Sequence, residues 1–118
     1  MNQVKATMDV RHISKQTSVI DIHGEVTSAA ESLLMESYAQ STSRGSNNII
    51  LNFKDLDYMN SSGIGLLVTL LIRVQRQKQR LIACGLKEHY LQIFDLTRLN
   101  EAIAIYPNES DAIAALGG

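Results

Sequence analysis

Residues 57–65, Asp-Tyr-Met-Asn-Ser-Ser-Gly-Ile-Gly, stand between a short apolar run, Ile49 to Phe53, and a long apolar segment starting near Ile64. The first run has the length and β-branched content of a buried strand; the second has helical spacing. In that helix Ile64, Leu67, Val68, Leu71, Ile72 and Val74 fill a broad inner face, while Leu66 and Leu70 fall beside Arg73 and Gln77 toward the outer face. An apolar arc this wide means either deep burial or a surface reserved for a partner. A strand handing over to such a helix through a polar turn is the repeating unit of an α/β domain.

The remaining segments extend the pattern. Val4 to Ile13 alternates weakly and is expected to form an edge strand, followed by a clearer strand over 18–26 in which Gly24 marks a bulge or bend. Thr27 or Ser28 caps a helix running to about Ser43, with Ala30, Leu33, Leu34, Ser37 and Tyr38 on its inner face. The serine-containing turn opens a helix from Ser61 or Ser62 to about Gln79. A strand over 81–84, a short helix over 88–96, a strand over 102–106 and a last helix over 112–116 complete the chain. The expected fold is α/β: a mixed, mainly parallel sheet of four to five strands with about four helices, in a single domain over 1–118.

Composition narrows the function. The chain has 118 residues, a formal charge of −1 and no tryptophan, so its core must be aliphatic and no global field draws it to nucleic acid or an anionic membrane. No apolar run reaches the roughly 20 residues of a membrane span, and no signal-peptide core follows the polar N-terminus, so the expected location is cytoplasmic. The single cysteine, Cys84, reads as a small buried hydrophobe. The basic residues Arg73, Arg76, Lys78 and Arg80 read as a solvated tail that suits a helix C-terminus.

Catalytic patterns fail one by one. Gly63 and Gly65 suggest a dinucleotide fingerprint, but Val68 stands at the third glycine position. A P-loop would need Gly-Lys-Ser/Thr, and a nucleophile elbow would need glycine two residues before the serine, where Met59 and Asn60 stand. His12, His23 and His89 have no metal-ligand spacing, and Asp55 and Asp57 read as loop carboxylates. No enzyme, cofactor or metal is expected.

The two serines read differently. A hydroxyl at a helix start meets unpaired N–H groups and the positive end of the helix dipole, a setting that holds phosphate. Asn60 or Ser61 capping the helix explains part of this run, but not two glycines in the first turn, each costing about 1 kcal/mol relative to alanine. Glycine there leaves the backbone bare for the close approach of another molecule.

At these residues the chain resembles the STAS domain (sulphate transporter and anti-sigma factor antagonist), in its stand-alone bacterial form, the anti-sigma factor antagonist. The likeness runs nearly the whole length. It rests on the Gly24-Glu25-Val26 strand end, the Ile49–Phe53 strand, the specific Met59-Asn60-Ser61-Ser62-Gly63-Ile64-Gly65 loop, and Leu81-Ile82-Ala83-Cys84-Gly85.

The resemblance implies a partner-switching protein. The unmodified form binds a serine-kinase anti-sigma factor, the kinase phosphorylates a loop serine, and a phosphatase resets the switch. The matching hydroxyl is Ser61, with Ser62 as second choice. Asn60, Gly63, Gly65, Leu66, Leu70 and Thr27 are the expected docking residues. Two departures stand out, since the family usually has aspartate where Asn60 stands and often where Thr27 stands. The alternatives are an interaction module of the same fold working without phosphorylation, or a small nucleotide-binding α/β protein. The expected state is a monomer, or a weak homodimer supported by Leu66 and Leu70, with no direct contact to nucleic acid or membrane.

Overall fold

A computed structural model describes residues 3–117. Five strands, β1 (Ala6–His12), β2 (Thr17–Val26), β3 (Asn48–Met59), β4 (Arg80–Cys84) and β5 (Ala104–Tyr106), form one sheet in sequential order. β1 runs antiparallel to β2 and the other pairs are parallel, so the sheet is mixed as the sequence suggests. Helices α1 (Glu31–Ser43), α2 (Ser61–Arg76) and α3 (Glu88–Leu96) make the crossovers, and α4 (Glu109–Ala115) closes the described chain.

The two sheet faces divide the aliphatic residues. Ile20, Ile22, Ile49, Leu51 and Phe53 bury one face beneath Leu34 and Tyr38 of α1, Leu67 and Leu70 of α2, and Phe94 of α3. On the reverse face Val19, Ile50, Ile82 and Cys84 form a smaller cluster under Ala112 of α4. Both faces of the inner strands are therefore covered, which explains why they read as continuous apolar runs.

Three boundaries depart from expectation. β3 continues well past Phe53, so Asp55 and Asp57 lie on a strand and not in a loop. Register shifts against β2 break the two-residue alternation there, which hid the strand, while Leu56 and Met59 still point into the core. α2 ends at Arg76, with Lys78 turning the chain in a left-handed conformation at φ 57°. Residues 102 and 103 precede β5 instead of opening it, behind a short 3-10 turn over Leu99–Glu101. Gly24 sits at the expected irregularity: its φ is +87°, and a Cβ there would come within 2.2 Å of the Lys5 carbonyl oxygen.

α4 is short, and a charged clip helps hold it. Asn108 caps it, accepting from the Asp111 N–H at 2.8 Å. Arg11 on β1 donates Nε to Asp21 Oδ2 at 2.6 Å and Nη2 to Asp21 Oδ1 at 2.9 Å, and its guanidinium also pairs with Glu109 at the start of α4. Asp21 Oδ1 also accepts from Asn52 Nδ2 at 2.8 Å. The Arg11 hydrogen bonds hold the Asp21 carboxyl below the usual carboxylate range, against the opposing effect of burial. Burial beneath α4 pushes the Cys84 thiol up to about 11.

Two outcomes follow from the clip. In Arg11→Met, α4 should open more often and Cys84, the sole thiol, should react with a maleimide about tenfold faster, the loss expected of a hydrogen-bonded charge pair. Unchanged labelling would remove the clip from its role. Because Asp21 has a depressed folded pKa, its stabilising share is complete above the unfolded value of about 3.9 and disappears as pH falls below it. An acid titration should therefore show wild type losing stability toward Asp21→Asn below that pH, with the gap between them closing.

Candidate functional site

β3 ends at Met59, and its last N–H donates to the buried Tyr90 hydroxyl of α3 at 2.9 Å, which fixes where the chain leaves the sheet. Asn60 follows in an extended conformation, and its N–H donates to the Val26 carbonyl at the end of β2, at 3.3 Å. Its Oδ1 accepts from the Gly63 N–H at 2.9 Å, so Asn60 is the cap of α2 and Ser61 is the first helical residue. An aspartate would present the same acceptor oxygen; the asparagine preserves the cap and removes only the charge.

Ser61 and Ser62 are both exposed. Their N–H groups lie in the first turn, where no helical carbonyl reaches them, and they sit at the positive end of a sixteen-residue helix. Thr27 stands beside this turn, one residue beyond Val26. Its hydroxyl accepts from the Ala29 N–H at 3.3 Å, capping a 3-10 turn over Ser28–Ala30 that precedes α1.

The two glycines serve different ends. Gly63 is buried, and a Cβ on it would lie 2.3 Å from the Val26 carbonyl oxygen and 2.7 Å from Met59 Cγ. The close approach it permits is by the protein's own β2, not by another molecule, which corrects the expectation for this position. Gly65 is exposed, and a Cβ there would meet nothing within 4 Å. No packing inside the chain accounts for its helix-weakening presence.

Leu66 and Leu70, expected on the outer face, are 7% and 0% exposed and belong to the main core. They share that core with Ala30 of the 3-10 turn and with Leu34 and Tyr38 of α1. Near the far end of α2 the Tyr38 hydroxyl donates to Gln79 Oε1 at 2.6 Å and reaches the Arg73 carbonyl at 3.5 Å. Neither leucine is free to dock a partner or support a dimer. Val68 and Ile72, expected inside, are 38% and 46% exposed. Ser61, Gly65, Val68 and Ile72 fall at i, i+4, i+7 and i+11, a single stripe that runs from the exposed hydroxyl down the open flank of α2. The angular spacing in the sequence contains this stripe; the rotation of the helix decides that it faces outward.

No group of three or more histidine, cysteine or acidic side chains is arranged to hold a metal among the described residues. His12 Nδ1 is bonded to Ser18 Oγ at 3.0 Å, while His23 stands 3.8 Å from Asp9 and 3.6 Å from Asp55 on the exposed part of the sheet. Neither lies in the turn that carries the serines. No helix among the described residues is long and apolar enough to cross a membrane.

The chain is similar to known proteins. The anti-sigma-B factor antagonist of Bacillus subtilis (strain 168) is 29% identical over 86 residues, covering 73% of this chain and 78% of its own. BtrV of Bordetella bronchiseptica is 26% identical over 96 residues, 80% of each chain. Among solved structures, the Bacillus anti-sigma factor antagonist SpoIIAA in its unphosphorylated form superposes with a TM-score of 0.75 at 21% identity, covering 95% of this chain and 99% of its own. At that identity the likeness establishes the fold. The family model described as the STAS domain matches residues 8–112, nearly all of the sheet and its helices, and the chain belongs to the STAS domain family.

Proposed function

We propose that this chain is an anti-sigma factor antagonist working by partner switching, with Ser61 as the phosphorylated residue. The observation that carries the reading is an exposed serine at the first position of α2, continuous with an unpartnered stripe over Gly65, Val68 and Ile72. A relative named as an anti-sigma-B factor antagonist, similar across most of both chains, supports the same reading.

In the unmodified state the stripe receives a serine-kinase anti-sigma factor. Val68 and Ile72 supply the apolar contact, and the bare backbone at Gly65 lets the partner come close. Thr27, Asn60 and Ser62 form the polar rim. The kinase moves the γ-phosphoryl group of ATP to Ser61 Oγ, adding about −1.5 to −2 charges at the head of the stripe. Within the free protein the N–H groups of the first turn and the helix dipole receive that charge. Within the complex it must be desolvated, so the modified form leaves its partner without refolding. A phosphatase returns the hydroxyl.

Incubation with the cognate kinase and ATP, followed by mass spectrometry, should add one phosphate to wild type and none to Ser61→Ala. Undiminished labelling of the variant would remove Ser61 from this role. Ser61→Asp should weaken kinase binding at least tenfold, about 1.4 kcal/mol. Unchanged affinity would favour a STAS interaction module that works without phosphorylation.

The two glycines give an independent check. Gly65→Ala should raise stability by about 0.5–1 kcal/mol, as expected for an exposed helical glycine, while weakening docking. Gly63→Ala should destabilise the fold, because its Cβ has no room beside Val26. A Gly65→Ala protein that is more stable and binds the kinase as wild type does would exclude a close approach at this position.

A further inference from the structure

The formal charge of −1 conceals an uneven distribution. The turn between β1 and β2, the C-terminal ends of α1 and α2, and the entry to β4 meet at the pole opposite Ser61. These segments are bonded directly: the Asn47 N–H donates to the Gln16 carbonyl at 2.8 Å, the Arg80 N–H to the Asn47 carbonyl at 2.7 Å, and the Gln79 side-chain Nε2 to the Ser46 carbonyl at 2.9 Å. This junction gathers Lys15, Arg44, Arg73, Arg76, Lys78 and Arg80, all exposed and none within ion-pair distance of a carboxylate among the described residues. The nearby Arg98 pairs loosely with Glu101 at 3.8 Å. Asp95 and Glu101 share the basic end, while Glu25 and Asp57 stand toward the opposite ends of β2 and β3, and Glu31 and Glu88 open α1 and α3 there.

The two poles do not cancel at a surface. The molecule's shortest extent is 25 Å, about three times the Debye length of about 8 Å at physiological ionic strength. An anionic surface meeting the basic pole feels those cations and little of the acids behind them. Two large aliphatic side chains protrude at the same pole: Leu96, 82% exposed at the end of α3, and Ile13, 39% exposed in the turn before Lys15. No exposed phenylalanine, tyrosine or tryptophan accompanies them for stacking on bases. Cations with protruding aliphatics and no stacking platform match the interface of an anionic bilayer better than a nucleic acid.

We propose that the basic pole is a peripheral contact site for anionic phospholipid headgroups. The cations attract the headgroup phosphates while Leu96 and Ile13 enter the interfacial region, and the acidic pole is repelled. The protein would thus sit with Ser61 at the end away from the lipid and open to a partner. This inference stands independently of phosphorylation at Ser61.

Co-sedimentation of the whole chain with phosphatidylcholine vesicles, with and without about one-third phosphatidylglycerol, tests it at about 0.05 M and 0.5 M salt. Wild type should bind only the anionic vesicles, and only at low salt. Arg76→Gln and Lys78→Gln should each lower the partition coefficient about fivefold, since each removes one surface cation. Leu96→Ser should also lower it at low salt, whereas Lys87→Gln at the opposite pole should leave it unchanged. Equal partition into neutral vesicles, no binding to either, or an equal loss with Lys87→Gln would overturn the proposal. Retention on duplex DNA or polyglutamate as strong as on anionic vesicles at the same salt would also overturn it, assigning the pole to another kind of anion.

Discussion

The first turn of α2 lies closer to the end of β2 than any side chain at position 63 would permit. The Val26 carbonyl sits where a Cβ would be, and it also accepts the Asn60 N–H. Two neighbouring features tighten the same junction. The Asn60 side chain bonds the Gly63 N–H, and Tyr90 accepts the Met59 N–H from the far side. These contacts fix the direction in which the chain turns from strand to helix, and with it the outward position of Ser61. The hydroxyl is exposed because the residue two places further on is clamped.

From that clamp the exposed stripe follows. Once the start of α2 is fixed, Leu66 and Leu70 turn into the core shared with Ala30, Leu34 and Tyr38, leaving Val68 and Ile72 on the open flank. A helix with so much apolar surface cannot bury all of it against one sheet face and one neighbour. The uncovered remainder is continuous with Ser61, which places a chemically modifiable group beside apolar contact area. A charge added there changes what can dock without touching the core.

The reverse face of the sheet is held differently. Its apolar cluster is small, α4 is short, and charged groups carry part of the attachment through Arg11, Asp21 and Glu109. Such pairs depend on pH and ionic strength, whereas the aliphatic packing on the main face does not. The two faces therefore respond differently to solution conditions, and Ser61 stands on the side of the more robust one.

Local features were legible because contiguous residues encode them. The alternation of strands and helices, the bulge at Gly24, the caps at Asn60 and Asn108 and the serine at the helix start all depend on chemistry within a few positions. The STAS likeness resided in the same short segments. The extension of β3 through Met59 was hidden because register shifts against β2 broke the two-residue period on which strand reading relies. Gly63 and Gly65 look alike in a sequence, yet one meets a carbonyl and the other open solvent. The helical wheel of α2 supplied relative angles without an absolute rotation, so its buried and exposed leucines, valines and isoleucines could be sorted only by its neighbours in the fold. Likewise a total charge of −1 gave no hint of a basic pole, because turns far apart in the chain are joined there by sheet topology. Sequence alone determined the elements and the position of the hydroxyl; tertiary packing decided which faces remain open, because exposure is a property of neighbours that the local pattern does not contain.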